Sequence, residues 1–156
     1  MMADQDTKLG DILLKKGWID APGLQRALDI QKTKRQFLGT ILVSERRITE
    51  EQLAQVLSEQ SGIPFVTIQN FYIDWKLVMK FSASLILDYQ CFPLKKEGST
   101  IVFGITNILD GWARAQIEQE TKGTPIQLAL MTYSDMKQLL ERFREYVNIK
   151  TRRLLD

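Results

Sequence analysis

A chain of 156 residues with a hydrophobic share of 44% and a charged share of 26% can bury a real core, as one ordinary domain or two small ones. Its formal net charge of +2 is too small for a general affinity for nucleic acid or membranes. The absence of histidine, with Cys91 the single cysteine, removes the commonest general base, the usual zinc sites and any internal disulfide, and suits a reducing cytoplasm.

The first residues, MMADQDTK, lack the basic start and apolar stretch of a signal peptide, and no later run approaches a membrane span. Leu9, Ile12 and Leu13 then fall at i, i+3 and i+4, one face of a helix. Gly17 offers that helix a left-handed end. Asp20 stands where the N-cap of a second helix should be, and Pro22 fits its first turn. Leu24 and Leu28 continue an apolar stripe that ends on Gln31. The next five residues, Lys32-Thr33-Lys34-Arg35-Gln36, carry three positive charges. They suit equally a solvated helix end, whose cations complement the dipole, and a phosphate-facing segment.

Residues 37–60 repeat residues 8–31 without a gap, at an offset of 29. Eight of the 24 aligned positions are identical: Leu9/Leu38, Gly10/Gly39, Ile12/Ile41, Leu13/Leu42, Ile19/Ile48, Leu24/Leu53, Leu28/Leu57 and Gln31/Gln60. Average composition gives about one or two by chance. Thr49 takes the N-cap position in the second copy and forms a capping-box pattern with Gln52. Glu50 and Glu51 read as solvated charge and not as a catalytic pair. Each unit is therefore expected to be two helices joined by a short turn.

Two features of the unit carry more than one reading. An amide at the end of an apolar stripe needs a partner, which is either a helix-end carbonyl, favoured on physical grounds, or the polar edge of a ligand. Glycine after leucine weakens a helix unless something approaches its backbone, and that is either a neighbouring helix or a ligand. At a helix start, such a glycine also leaves free N–H groups that suit an anion.

Residues 61–65, Ser-Gly-Ile-Pro-Phe, read as a turn. Phe65 to Ile68 is expected as a short strand, and Asp74 to Phe81 and Ser82 to Gln90 as helices. Cys91 to Leu94 and Thr100 to Ile105 read as strands around the turn Lys96-Glu97-Gly98-Ser99. Asp110 to Lys122 reads as a helix, Pro125 to Met131 as a strand, and Ser134 to Val147 as a last helix capped by Ser134. Phe71, Tyr72 and Trp75 read first as anchors of a linker and second as an interaction surface. Lys150-Thr151-Arg152-Arg153 is basic, lacks an apolar stripe and reads as a linker. The sum is an α+β chain. Duplicated helical hairpins over 1–61 are expected to pack on a small α/β subdomain over 62–149, with a tail over 150–156.

No catalytic constellation stands out. Lys122-Gly123-Thr124 scrambles the P-loop order and lacks its upstream glycine. Glu118 and Glu120 share the helical, solvent-facing pattern of Glu50 and Glu51. No metal or cofactor is expected. Paired helices and the run KTKR invite a nucleic-acid reading, but nearly balanced charge and leucines on both helices of each pair argue against it.

With two gapless 24-residue units, a five-residue spacer and a terminal glutamine in each, the chain resembles the N-terminal, MshEN-type domain of type II secretion and type IV pilus assembly ATPases. The family pattern is RLGxx, two aliphatics, xxG, two aliphatics, xxxxLxxxLxxQ, and it matches the spacing across residues 8–60; the general resemblance extends to about residue 147. The resemblance implies a non-catalytic regulatory or docking domain, cytoplasmic or held at the inner membrane through a partner, with an ATPase domain following in a longer chain. Some members bind cyclic di-GMP, one half per motif. Others dock onto the cytoplasmic part of an inner-membrane platform protein.

Carried across, Lys8, Leu9, Gly10 and Gln31 take the binding positions of the first motif. Phe37, Leu38, Gly39 and Gln60 take those of the second, over an apolar floor of Leu24, Leu28, Leu53 and Leu57. The motif's leading arginine is Lys8 in one copy and Phe37 in the other; its later glycine is Arg46 in the second copy, and Trp18 and Arg47 replace an aliphatic residue. Lysine keeps the charge without the planar fork. Phenylalanine loses the charge and keeps the capacity to stack on a base. A weakened site, a retuned site and a scaffold without ligand all fit these departures.

Overall fold

The computed structural model describes residues 2–108 and 111–156, with side chains from Lys8 onward. Asp110, expected to open a helix, lies outside the described residues. The chain forms two compact units, one ending at Gly62 and the other starting at Ile63.

The first unit holds α1 (Met2–Lys15), α2 (Ala21–Thr33), α3 (Leu38–Ser44) and α4 (Glu50–Ser61), the two helix pairs that the repeat predicts. Its caps follow from the sequence. The Asp20 carboxylate accepts the Gly23 N–H at 2.7 Å, with Pro22 in the first turn of α2. At α4 the Thr49 hydroxyl accepts the Gln52 N–H at 3.1 Å, and the Gln52 amide oxygen accepts the Thr49 N–H at 2.9 Å. Both first helices end in the same way. Gly17 and Trp18 donate to Leu14 and Leu13 at 3.0 and 3.1 Å, and Arg46 and Arg47 donate to Val43 and Leu42 at 3.0 and 2.9 Å. These paired bonds close a helix through a left-handed residue, here Gly17 at φ 70° and Arg46 at φ 57°.

The two copies share one core. Leu9, Leu13, Ile19 and Ala27 of the first interleave with Leu38, Ile41, Leu42, Ile48 and Val56 of the second. Helix α1 packs chiefly on α4, and α2 on α3, so the first helix of each copy lies against the second helix of the other. Neither hairpin buries its apolar stripe alone.

The second unit is a three-stranded sheet with helices. Strands β1 (Phe92–Glu97) and β2 (Thr100–Ile105) form an antiparallel hairpin; β3 (Ile126–Leu130) lies parallel to β2 after the crossover helix α7 (Gly111–Thr121). Phe92, Leu94, Val102, Ala129 and Met131 join Met136, Leu139, Leu140 and Phe143 of α8 (Tyr133–Leu155) in one core. The alternate β2 residues Ile101, Phe103 and Ile105 are buried too, as expected of a strand with parallel pairing covered on both faces. Short helices α5 (Trp75–Val78) and α6 (Ala83–Leu87) precede the sheet. The N-cap of α6, Ser82, is tied to α7: Glu120 accepts from the Ser82 N–H, the Ser82 hydroxyl and the Gln116 amide, each at 2.7 Å.

Several expectations are corrected. Phe65 to Ile68 is not a strand. Phe65 makes one bridge to Leu130, Pro64 has no N–H for the ladder, and the Ile68 N–H turns to the Asp135 carboxylate at 3.4 Å. The hairpin turn is only Gly98 and Ser99, because Lys96 and Glu97 pair with Ile101 and Thr100. Cys91 stays out of β1, its N–H bonded to the Leu85 carbonyl at 3.1 Å. Thr132, not Ser134, caps α8, accepting the Asp135 N–H at 3.1 Å. Lys150 to Arg153, expected as a linker, belong to α8, which meets no glycine or proline before its end. Trp75 stacks on Tyr146 with centroids 4.1 Å apart and Phe71 packs on the core, so both act as anchors; Tyr72 is 85% exposed.

Left-handed backbone disfavours a side chain with a Cβ by about 1–2 kcal/mol. Arg46→Gly is therefore expected to raise the unfolding free energy by about 1 kcal/mol, and Gly17→Ala to lower it by a similar amount, as read by urea denaturation. Burial raises the Glu120 carboxyl pKa, but the hydrogen bonds from the Ser82 backbone, Gln116 and the Ser82 hydroxyl outweigh it and hold it below the ordinary value. A depressed folded pKa gives stability above the unfolded pKa that is lost as pH falls through the folded one. Glu120→Gln should cost about 1 kcal/mol at neutral pH, the low end for bonds to a partly solvated charge. The loss should shrink in acid melts; an equal loss at every pH would contradict the assignment.

Candidate functional site

The repeated leucine–glycine pair is built alike in both copies. Gly10 is buried in α1, and a Cβ there would lie 3.2 Å from both methyl carbons of Leu24 on α2. Gly39 is buried in α3, and a Cβ there would lie 2.5 and 3.0 Å from the methyl carbons of Leu53 on α4. A leucine of the partner helix in the same hairpin therefore occupies the space beside each glycine. Leu24, Leu28 and Leu53 are half-buried and packed on the core of the unit, leaving part of each side chain at the surface. Leu57 is buried, as are Leu9 and Leu38, whose side chains lie inside the shared core.

The polar positions differ between the copies. Lys8 is exposed on α1, and Phe37, 43% exposed, stands at the N-cap of α3 without a side-chain cap bond. Helix α1 begins at Met2, so Gly10 sits inside it and offers no free helix-start N–H. Gly39 follows the start of α3 by one residue. Gln31 is half-buried and its amide Nε2 donates to the Gln36 carbonyl at 3.1 Å. One backbone partner is thus a linker carbonyl, one residue before the N-cap of α3. Gln60 is half-buried, with its Oε1 enclosed.

The linker is ordered by the same contact. The Lys34 N–H donates to the Ile30 carbonyl at 3.0 Å and the Gln36 N–H to the Lys34 carbonyl at 2.8 Å. Lys32 pairs with Asp29 at 3.6 Å, while Lys34 and Arg35 are exposed. The acceptor role of Gln36 had no signal in the sequence, because any residue supplies a backbone carbonyl. Arg47, beside the left-handed turn of the second copy, runs its stem to within 4.0 Å of where a Gly23 Cβ would be. Among the described residues no three His, Cys, Asp or Glu side chains are grouped to hold a metal ion, and no helix is long and apolar enough to cross a membrane.

Residues 61–147 match the model of the MshEN domain family. Bacteriophage adsorption protein B of Escherichia coli (strain K12) is 32% identical over 102 residues, 65% of this chain and 14% of that protein. The type IV pilus assembly ATPase PilB of Thermus thermophilus is 44% identical over 62 residues, 40% of this chain and 7% of that protein. The chain thus spans a small fraction of the curated relatives it matches. The solved structure of MshE with cdg superposes with a TM-score of 0.76 at 20% identity, covering 86% of this chain and 96% of that one. This likeness is one of fold: eight helices and a three-stranded sheet among the described residues, mixed α+β.

The glycine geometry separates two equivalent positions. An added methyl at Gly10 needs Leu24 to yield by a few tenths of an ångström, and the gain in helix propensity of about 1 kcal/mol offsets that strain. At Gly39 both methyls and, at 3.3 Å, the branch carbon of Leu53 obstruct it. Gly10→Ala is expected to change stability by less than about 1 kcal/mol and Gly39→Ala to lower it by about 1–3 kcal/mol, measured by chemical denaturation. Equal losses would show that the leucines do not set the spacing.

Proposed function

The chain belongs to the MshEN domain family, and from that premise we propose that it is a non-catalytic regulatory and docking domain, N-terminal in a type II secretion or type IV pilus assembly ATPase, whose duplicated unit binds cyclic di-GMP. The observation that carries this reading is the repeated geometry. Each copy lays a half-buried leucine over a backbone-level glycine beside an exposed motif-leading residue, Lys8 or Phe37. A ligand made of two like halves suits a surface made of two like halves. Half-exposed leucines offer flat apolar contact for bases, and Lys8 offers charge for a phosphate. The solved MshE structure is described as holding cdg, which we take as the same dinucleotide.

In this reading Lys8, Leu24, Leu28, Phe37, Leu53 and Gln60 line the ligand surface, and Gln31, the motif glutamine of the first copy, acts there by holding the Gln36 carbonyl of the linker. Leu9, Gly10, Leu38, Gly39 and Leu57 hold the backbone and floor beneath it. The domain works in the cytoplasm and reaches the inner membrane through the cytoplasmic part of a platform protein, with the ATPase domain of a longer parent chain as its effector. No metal or other cofactor takes part. Docking without nucleotide is the second reading, and the specific observation favouring it is the loss, in the second copy, of the motif's leading cation at Phe37 and of its later glycine at Arg46.

Calorimetric titration with cyclic di-GMP separates the two. Binding is expected, and Lys8→Ala should weaken it about tenfold through loss of one charged contact. No heat at physiological ligand concentration would leave docking alone, and binding that ignores Lys8→Ala would displace the site.

A further inference from the structure

Gln31 and Phe37 belong to different copies of the repeat, yet they meet at one loop. The Gln31 amide holds the Gln36 carbonyl at 3.1 Å. The Gln36 N–H holds the Lys34 carbonyl at 2.8 Å, and the Lys34 N–H closes α2 on Ile30 at 3.0 Å. The five-residue linker is thereby folded against the end of α2 and is no loose tether. Its cations differ in situation. Lys32 is paired with Asp29, whereas Lys34 and Arg35 stand exposed in the loop. Phe37, two residues past Arg35, presents its ring at 43% exposure. An exposed aromatic ring two and three residues along one short folded loop from two exposed cations is chemistry suited to a nucleotide: a ring can stack on a base and cations can neutralise phosphate.

From this juxtaposition we infer that the linker completes the second half-site. Phe37 stacks on a base, Arg35 and Lys34 contact the phosphates, and Gln31 is a positioning residue that fixes the loop. The guanidinium of Arg35 supplies the planar fork that the second motif lacks at Phe37. The inference rests on the dinucleotide reading above and goes beyond it by assigning phosphate contacts outside both 24-residue units.

The test is calorimetric titration of the whole chain with cyclic di-GMP at about 50 mM and about 300 mM salt. Lys34→Ala/Arg35→Ala is expected to weaken binding about tenfold or more at low salt and less at high salt, since screening already removes part of the phosphate term. Phe37→Ala should weaken it by about tenfold at both. Gln31→Ala should cost affinity in the wild type and much less in the Lys34→Ala/Arg35→Ala background, a dependence that a direct ligand contact would not produce. An unchanged thermal midpoint in the double variant confirms that its fold is intact. If the wild type binds and the double variant binds equally, with the same salt dependence, the linker has no part and the dinucleotide reading stands. If the wild type itself binds nothing, both fall.

Discussion

The interaction on which the first unit depends is a leucine side chain lying over a glycine backbone. Leu24 over Gly10 and Leu53 over Gly39 set how closely the two helices of each hairpin approach. Helix α1 packs on α4 and α3 on α2, and nine residues from both copies close a single core. The same contact fixes what remains outside. A leucine held against a glycine on one side cannot turn its whole surface inward, and Leu24 and Leu53 stay half-exposed. Close helix packing and a half-exposed apolar surface therefore come from one geometric contact.

Duplication preserved the backbone more strictly than the side chains. The turn after α1 uses Gly17 at φ 70°, and the turn after α3 keeps the same two hydrogen bonds with Arg46 at φ 57°. A backbone conformation that costs about 1–2 kcal/mol for a residue with a Cβ persists because the shared core demands the same exit from both helices. The side chain at the next position was freer to change: Trp18 packs on the core and takes Lys16 over its ring at 5.0 Å, while Arg47 lays its stem near Gly23. Copies that are equivalent as architecture became unequal as chemistry.

What was legible in the sequence follows this division. The repeat, the Asp20 and Thr49 caps and the helix end at Gly17 are local signals, and each specifies a hydrogen bond that the structure contains. The strand expected at Phe65–Ile68 shrinks to one bridge at Phe65, held by the Val66 N–H and the Pro64 carbonyl on Leu130, and the Ile68 N–H instead meets the Asp135 carboxylate, a partner distant in sequence that a local pattern does not reveal. The extent of α8 was missed for the opposite reason. Lys150 to Arg153 lack an apolar stripe, and periodicity detects only helix that is packed, whereas a helix already nucleated on a core continues until something breaks it. At the candidate site, residue types and spacing were legible, but burial was not. Leu9 and Leu38 occupy motif positions equivalent to exposed neighbours and lie wholly in the core.

Family membership and ligand chemistry rest on different parts of this chain. The family match covers residues 61–147, almost entirely the sheet-bearing unit, while the candidate half-sites lie in the duplicated unit before it. A core such as that between the sheet and α8 tolerates change only if it still packs, so it preserves a recognisable pattern. An exposed surface such as Lys8, Phe37 and the linker can be altered at little cost to stability. Divergence should therefore accumulate where the first unit meets solvent, and there the two copies do differ most: lysine against phenylalanine at the head of the motif, and glycine against arginine at the turn. A ligand with two identical halves would then meet a scaffold that is symmetric in its backbone and asymmetric in its charge, so each half of the ligand would have to be held by different contacts.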